Sequence, residues 1–161
     1  MIIRAIRKED AEGFYAIRTM EGVRENILSL PSDRVSETEA YIGDLTPNDH
    51  ILVAEEGGKV IGAVSLHISP KVRQRHTAGI GIMVHAAHQG KGVGKALMQA
   101  ILDLADRWLM LKRVELTVYA DNERAIHLYE SMGFIAEGTK KYAAARDGEY
   151  VDELLMARCK F

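Results

Sequence analysis

Residues 88–97 read HQGKGVGKAL, placing Gly90, Gly92 and Gly94 at alternate positions with Lys91 and Lys95 among them. A glycine inside a helix costs roughly 1 kcal/mol relative to alanine. Three of them just before an amphipathic run therefore imply a need for bare backbone. The first N–H groups of a helix lack internal partners and lie at the positive end of its dipole. Open backbone, free donors and two lysines together suit an anion, phosphate above all. Two known phosphate patterns do not fit. A P-loop, G-x-x-x-x-G-K-[ST], needs glycine and a hydroxyl where this chain has Gln89 and Ala96. The dinucleotide pattern G-x-G-x-x-G needs a glycine where Lys95 stands. The pattern present is Q-x-x-G-x-G, as Gln89, Gly92 and Gly94.

Other residues offer proton and anion chemistry. His67 and His76 sit at the end of one strand-like run and the mouth of the next. Histidine titrates near neutral pH, so either is a candidate base, and either is equally read as a loop histidine. Arg24, Arg73 and Arg75 offer forks for a carboxylate, or simply solvated charge. Glu115 is a candidate base acting through water, or a solvated strand residue. His85 and His88 share a turn with no nearby carboxylate or cysteine, so no metal site is expected.

The elements that must carry these residues follow from hydrophobic period and turn chemistry. IIRAI (2–6) reads as an edge strand, and 8–20 as a helix. Residues 22–35 read as a loop or broken helix; with the polar 70–76 loop they are expected to line a substrate pocket. Ser36 with Glu39 forms a capping-box pattern, predicting a helix over 37–45. The runs 50–56 and 59–68 flank Gly57-Gly58, a hairpin signal. TAGIGIMV (77–84) is a strand that runs straight into the glycine loop. Val93, Leu97, Ile101, Leu104 and Trp108 then mark one helix face. RVELTVY (113–119) is a strand with Val114, Leu116 and Val118 on one side. Residues 121–133 form a helix capped by polar residues and closed by Gly133. A last hairpin turns at Arg146-Asp147-Gly148, with Tyr142 and Tyr150 flanking it. The order β-α-α-β-β-β-α-β-α-β-β describes an α/β protein with a mixed sheet covered by helices.

Composition narrows the class. The 161 residues suit a single domain over 1–161, and 47% apolar with 27% charged is ordinary for a globular protein. A net charge of -2 gives no basic field for nucleic acid. No apolar run reaches membrane-spanning length, and the N-terminus does not read as a signal peptide. The single cysteine, Cys159, rules out an intrachain disulfide, fits a reducing cytoplasm, and is expected to be a buried structural thiol.

The Q-x-x-G-x-G segment resembles motif A of the GNAT N-acetyltransferases. DNERAIHLYESMGF (121–134) resembles their motif B, through Asn122, Ala125, Tyr129, Gly133 and Phe134. The two motifs stand in the family's order and separation. RVELTVYADNERAIHLYESMGF and EGTKKYAAARDGEYVDELLMAR resemble the YhhY type, described as L-amino acid N-acetyltransferases.

The resemblance implies the GNAT fold, a mixed, mostly antiparallel twisted sheet of about seven strands with about four helices. It implies acetyl-CoA as co-substrate. Gln89, Gly90, Lys91, Gly92, Val93, Gly94 and Lys95 would hold its pyrophosphate; Ile82, Met83 and Val84 would run beside its pantetheine arm. Tyr129 would protonate the thiolate, although it also reads as a packed helix aromatic; Asn122 would cap its helix and touch the cofactor. A backbone N–H near Met83 would serve the oxyanion. Many family members carry a carboxylate on the strand before the loop; TAGIGIMV has none, leaving His76 as the candidate base. Arg73, Arg75 and Glu115 are the candidate substrate residues. The expected reaction is direct attack of a small primary amine, an L-amino acid, within a homodimer. Acetylation of a protein N-terminus or lysine, and a non-catalytic acyl-CoA-binding module, are the alternatives.

Overall fold

A computed structural model describes residues 1–160. In chain order its elements are β1 (Ile2–Ala5), α1 (Ala11–Thr19), α2 (Val35–Gly43), β2 (Asp49–Glu56), β3 (Lys59–Ile68) and β4 (Thr77–Val84). There follow α3 (Val93–Arg107), β5 (Arg113–Tyr119), α4 (Glu123–Ser131), β6 (Ile135–Arg146) and β7 (Glu149–Cys159). The strands form one seven-stranded sheet in the order β1-β2-β3-β4-β5-β7-β6. Only β4 and β5 pair in parallel; every other neighbour is antiparallel. The expected mixed, mostly antiparallel sheet with four α-helices is what the chain forms.

Period-2 alternation divides the core between two faces of the sheet. On the front face Ile51, Val53, Ala63 and Met83 pack against Phe14 and Ile17 of α1. On the back face Val64, Leu66, Val114 and Leu116 pack against Leu97, Met98 and Ile101 of α3. The α3 stripe is as read from the sequence as far as Leu104. Trp108 departs from it and is 76% exposed, because the helix ends at Arg107 and buried Leu111 packs into the core instead. Both hairpins turn as their sequences direct: Gly57 and Gly58 have φ +58° and +77°, Asp147 and Gly148 +49° and +81°.

Three local expectations are corrected. The first helix begins at Ala11, after a 3-10 turn over Lys8–Asp10. The second is not capped by Ser36: it opens at Arg34, whose N–H donates to the Glu37 carboxylate at 3.1 Å. Cys159 is exposed, because it lies at the last position of β7 on the front side, where no helix covers the sheet.

α3 comes close to the sheet at Gly62 of β3. A Cβ there would lie 3.1 Å from Leu97 Cδ1 and from Met83 O, and 3.2 Å from Val93 Cγ1. Gly62→Ala must therefore lift the start of α3, and a loss of about 1–3 kcal/mol is expected by urea denaturation. An unchanged midpoint would show that the helix is not seated there.

Asp10 is buried beneath β1, where Arg4 donates to both its oxygens at 2.8 and 2.9 Å and Arg7 N–H at 2.7 Å. The Arg4 hydrogen bonds, and then the Arg7 N–H, hold its carboxyl below the usual range against the opposing effect of burial. A depressed pKa stabilises the fold above the unfolded value of about 3.9, and that stability is lost as pH falls through the folded value. Asp10→Asn should therefore flatten the decline in stability below about pH 4; an equally steep decline would assign it to other carboxylates.

Candidate active site

The site begins with a break in the sheet. β4 and β5 are paired only at Thr77–Arg113, Ala78–Val114 and Gly79–Glu115. Beyond that the strands part. Ser69 N–H donates to Thr77 O, and His85 N–H to Ile61 O. Odd-numbered residues of β4 thus spend their backbone groups on β3, and Ile80, Ile82 and Val84 turn theirs to the opening. On β5, Arg113 N–H donates to His76 O while Ala120 N–H reaches Asp152 O on β7. By the same alternation Thr117 and Tyr119 face the opening from its other side. The result is a strand-shaped seam with backbone donors and acceptors on both walls. Met83 N–H is directed to β3, so near Met83 the backbone N–H groups that face the opening are those of Ile82 and Val84.

The wide end of the seam meets the glycine loop. Gly92 caps α3 in the left-handed region with φ +86°, and a Cβ there would meet nothing in the protein. The same open space lies over Gly90. The loop therefore exposes the start of α3, with Lys95 and Arg124 adding positive charge to the cleft lining. Gln89 holds the loop in place. Its Nε2 donates to Val84 O at 3.1 Å and Gly22 O at 3.3 Å, and its Oε1 accepts from Arg124 at 3.2 Å.

Asn122 caps α4 by accepting from Ala125 N–H at 3.3 Å. Two turns on, Tyr129 is buried, with its ring centroid 6.0 Å from that of Phe134. Its hydroxyl has no hydrogen-bond partner among the described residues, and the side chain lines the cleft. Burial pushes the phenol up to about 12, so it stays protonated well above neutral pH.

The cleft has a volume of about 720 Å³. It gathers Ile82, Met83, Val84, Gln89, Gly90, Gly92, Gly94, Lys95, Asn122 and Tyr129, as the sequence led one to expect. It does not gather the rest. Val93 turns its side chain into the core, and Lys91 is exposed outside the lining. His76 lies at the closed end of the seam, where its carbonyl accepts from Lys112 and Arg113 N–H. Arg73 is on an exposed turn, and Arg75 donates to Asn48 Oδ1 at 3.1 Å. Glu115 is also at the closed end, its carboxylate taken by Arg113 at 2.9 Å. His67 is bound between Asp49 at 2.7 Å and Tyr41 at 3.1 Å. His85 Nδ1 accepts from Ala87 N–H at 3.1 Å, a cap within its turn.

Val23, Asn26 and Ile27 of the α1–α2 connection line the front of the cleft, as expected of residues 22–35, whereas the 70–76 loop stays outside it. Sequence reasoning missed Arg18 from α1, Tyr119 from β5 and Glu153 from β7, which also line it. For Tyr119 a signal existed, since alternation sets it opposite Val118. For Glu153 none did, because its place depends on pairing with β5. The arrangement can seat an anion at one end, an extended polar arm along the seam, and a protonated phenol beside it.

Comparison with known proteins agrees with this geometry. Residues 5–134 match the acetyltransferase (GNAT) family. The L-amino acid N-acetyltransferase AaaT of Escherichia coli K12 is 36% identical, over 99% of this chain and 98% of its own. A Vibrio cholerae spermidine N(1)-acetyltransferase is 27% identical, over 94% of this chain and 88% of its own. The crystal structure of spermidine N-acetyltransferase from Vibrio cholerae, in complex with CoA and spermine, superposes with a TM-score of 0.87 at 26% identity. That match covers 98% of this chain and 94% of the other.

The two loop glycines should separate on substitution. Gly92→Ala puts a side chain into left-handed backbone and is expected to cost about 1–2 kcal/mol. Gly94 lies in the first turn of α3 with ordinary contacts 3.5–3.9 Å from a built Cβ, so Gly94→Ala should stabilise by up to about 1 kcal/mol. Thermal melts of the two variants check both signs.

Proposed function

The chain belongs to the GNAT family of acetyltransferases, and from that premise we propose that it moves the acetyl group of acetyl-CoA to the α-amine of an L-amino acid. As an N-acetyltransferase it needs an anchor for the donor, a donor to the oxyanion and a proton for the leaving sulfur. The observation that carries the reading is the open seam, which runs from the glycine loop past Ile82 in a cleft that Tyr129 also lines. The amino-acid acceptor is supported by the end-to-end match to a relative named as an L-amino acid N-acetyltransferase.

In this reading the N–H groups of the glycine loop, with Lys95 and Arg124, hold the pyrophosphate. Ile80, Ile82 and Val84 pair with the pantetheine arm as a strand would. Ile82 N–H stabilises the oxyanion. Tyr129, kept protonated by burial, donates to sulfur and regains a proton from the nitrogen of the tetrahedral adduct. The proposed unit is the one domain over 1–161. The proposed setting is the cytoplasm, where the Cys159 thiol stays reduced. The proposed assembly is a homodimer formed through the exposed β6 edge.

Two measurements test the mechanism. Tyr129→Phe should lower kcat about a hundredfold while coenzyme A affinity, by calorimetry, stays within about threefold. An unchanged kcat removes Tyr129 from the acid role. Gly92→Ala should weaken coenzyme A binding at least about tenfold and Gly94→Ala only slightly, since only the Gly92 Cβ points into open space.

A further inference from the structure

The acceptor half of the cleft carries a charge pattern that the reaction as described leaves unused. Four charged side chains line the cleft: Arg18, Lys95, Arg124 and Glu153. Lys95 and Arg124 belong to the starts of α3 and α4, at the anion seat. Arg18 and Glu153 come from other elements, one from α1 and one from β7.

Glu153 lines the cleft beyond the point where β4 and β5 part at Gly79–Glu115. Tyr119, on the far wall of the opening, is paired to Glu153 on β7. Directly paired antiparallel residues share a face, so Glu153 lies on the front side with Tyr119. The carboxylate is half-buried and has no hydrogen-bond or ion-pair partner among the described residues. Lys140 is level with it on β6 but makes no ion pair with it. Tyr119 is its other close neighbour, with Arg146 lying over that ring at 5.7 Å. Glu153 raises the Tyr119 phenol, second to burial.

Arg18 keeps most of its fork open. Its one ionic contact is Nε to Asp33 at 3.8 Å, and its guanidinium makes no hydrogen bond among the described residues. An arginine fork with open donors fits a carboxylate in two-point contact. Val23, Ile27 and Leu28 line the same cleft and suit an apolar side chain.

We propose that Arg18 and Glu153 are the two ends of a clamp for a zwitterionic amino acid with an apolar side chain. Arg18 holds the α-carboxylate; Glu153 receives the α-ammonium and takes one proton from it. The inference rests on the amino-acid reading above and names the residues that enforce it. Proton balance is complete. The ammonium N–H bond breaks and an O–H bond forms on Glu153. The nitrogen lone pair attacks the thioester carbon, and the C–S bond breaks. The second nitrogen proton replaces the one that sulfur draws from Tyr129, and Glu153 releases its own to solvent. A single carboxylate also argues against a polyamine, which presents several cationic centres and would leave the others unpaired.

The test is steady-state kinetics of the full chain with acetyl-CoA and L-leucine, L-leucinamide or spermidine as acceptor. The wild-type chain should favour L-leucine over L-leucinamide by about tenfold or more in kcat/KM. Arg18→Ala should bring the L-leucine value down to that of L-leucinamide, through KM. Glu153→Gln should lower kcat/KM on both acceptors by about a hundredfold, with Glu153→Asp recovering part. Coenzyme A binding by each variant reports that the fold is intact. Equal losses on both acceptors in Arg18→Ala, or full activity in Glu153→Gln, overturn the clamp while leaving the amino-acid reading standing. A wild-type chain that turns over spermidine and no amino acid overturns both.

Discussion

Everything about the site depends on two parallel strands that stop pairing after three residues. β4 and β5 are pinned at their starts, where His76 O takes two N–H groups from Lys112 and Arg113. Each is held on its far side by an antiparallel partner, β3 or β7, along its whole length. The sheet therefore cannot close the gap by sliding, and it cannot fray without losing those outer ladders. What remains is a rigid opening in the middle of a sheet, lined by backbone donors and acceptors at two-residue spacing. Polar backbone groups need partners, whether water or ligand. An extended chain with its own amides meets that need better than a compact ligand.

The two sides of the opening differ in charge and in cover. Behind the sheet, α3 and α4 bring two helix starts, Lys95 and Arg124 to one end of the seam. In front, α1 packs on β3 and β4 and leaves β5 and β7 without a helix. The front of the seam is therefore bounded only by the α1–α2 connection and the sheet itself. That asymmetry gives an anionic donor and a smaller acceptor separate approaches to one point. Tyr129 stands on the donor side, and burial keeps it protonated.

The back half of this site was legible in the sequence; of the front half only the 22–35 segment was. The glycine spacing, the Asn122 cap and the α3 stripe are local signals, each decided within a few residues. The same holds for the two Gly-containing turns. The roles of Arg18 and Glu153 are set by long-range pairing: Glu153 reaches the cleft only because β7 inserts between β5 and β6. His76 and Glu115 looked suitable by type, yet the register puts both where the strands are still joined. Ser36 failed as a cap because Arg34 and Glu37 already satisfy that helix start. Around Met83 it is parity that decides which amides reach the opening, those of Ile82 and Val84 and not that of Met83 itself.

The account's central claim is that the seam accepts an extended arm as an added strand. Residue-resolved amide hydrogen exchange, with and without coenzyme A, tests it most directly. Met83, whose backbone already faces β3, should be protected in both states. Ile82 and Val84 should exchange readily in the free chain and become strongly protected on binding. Protection confined to the glycine loop, with Ile82 and Val84 unchanged, would contradict the claim and reduce the site to an anion seat.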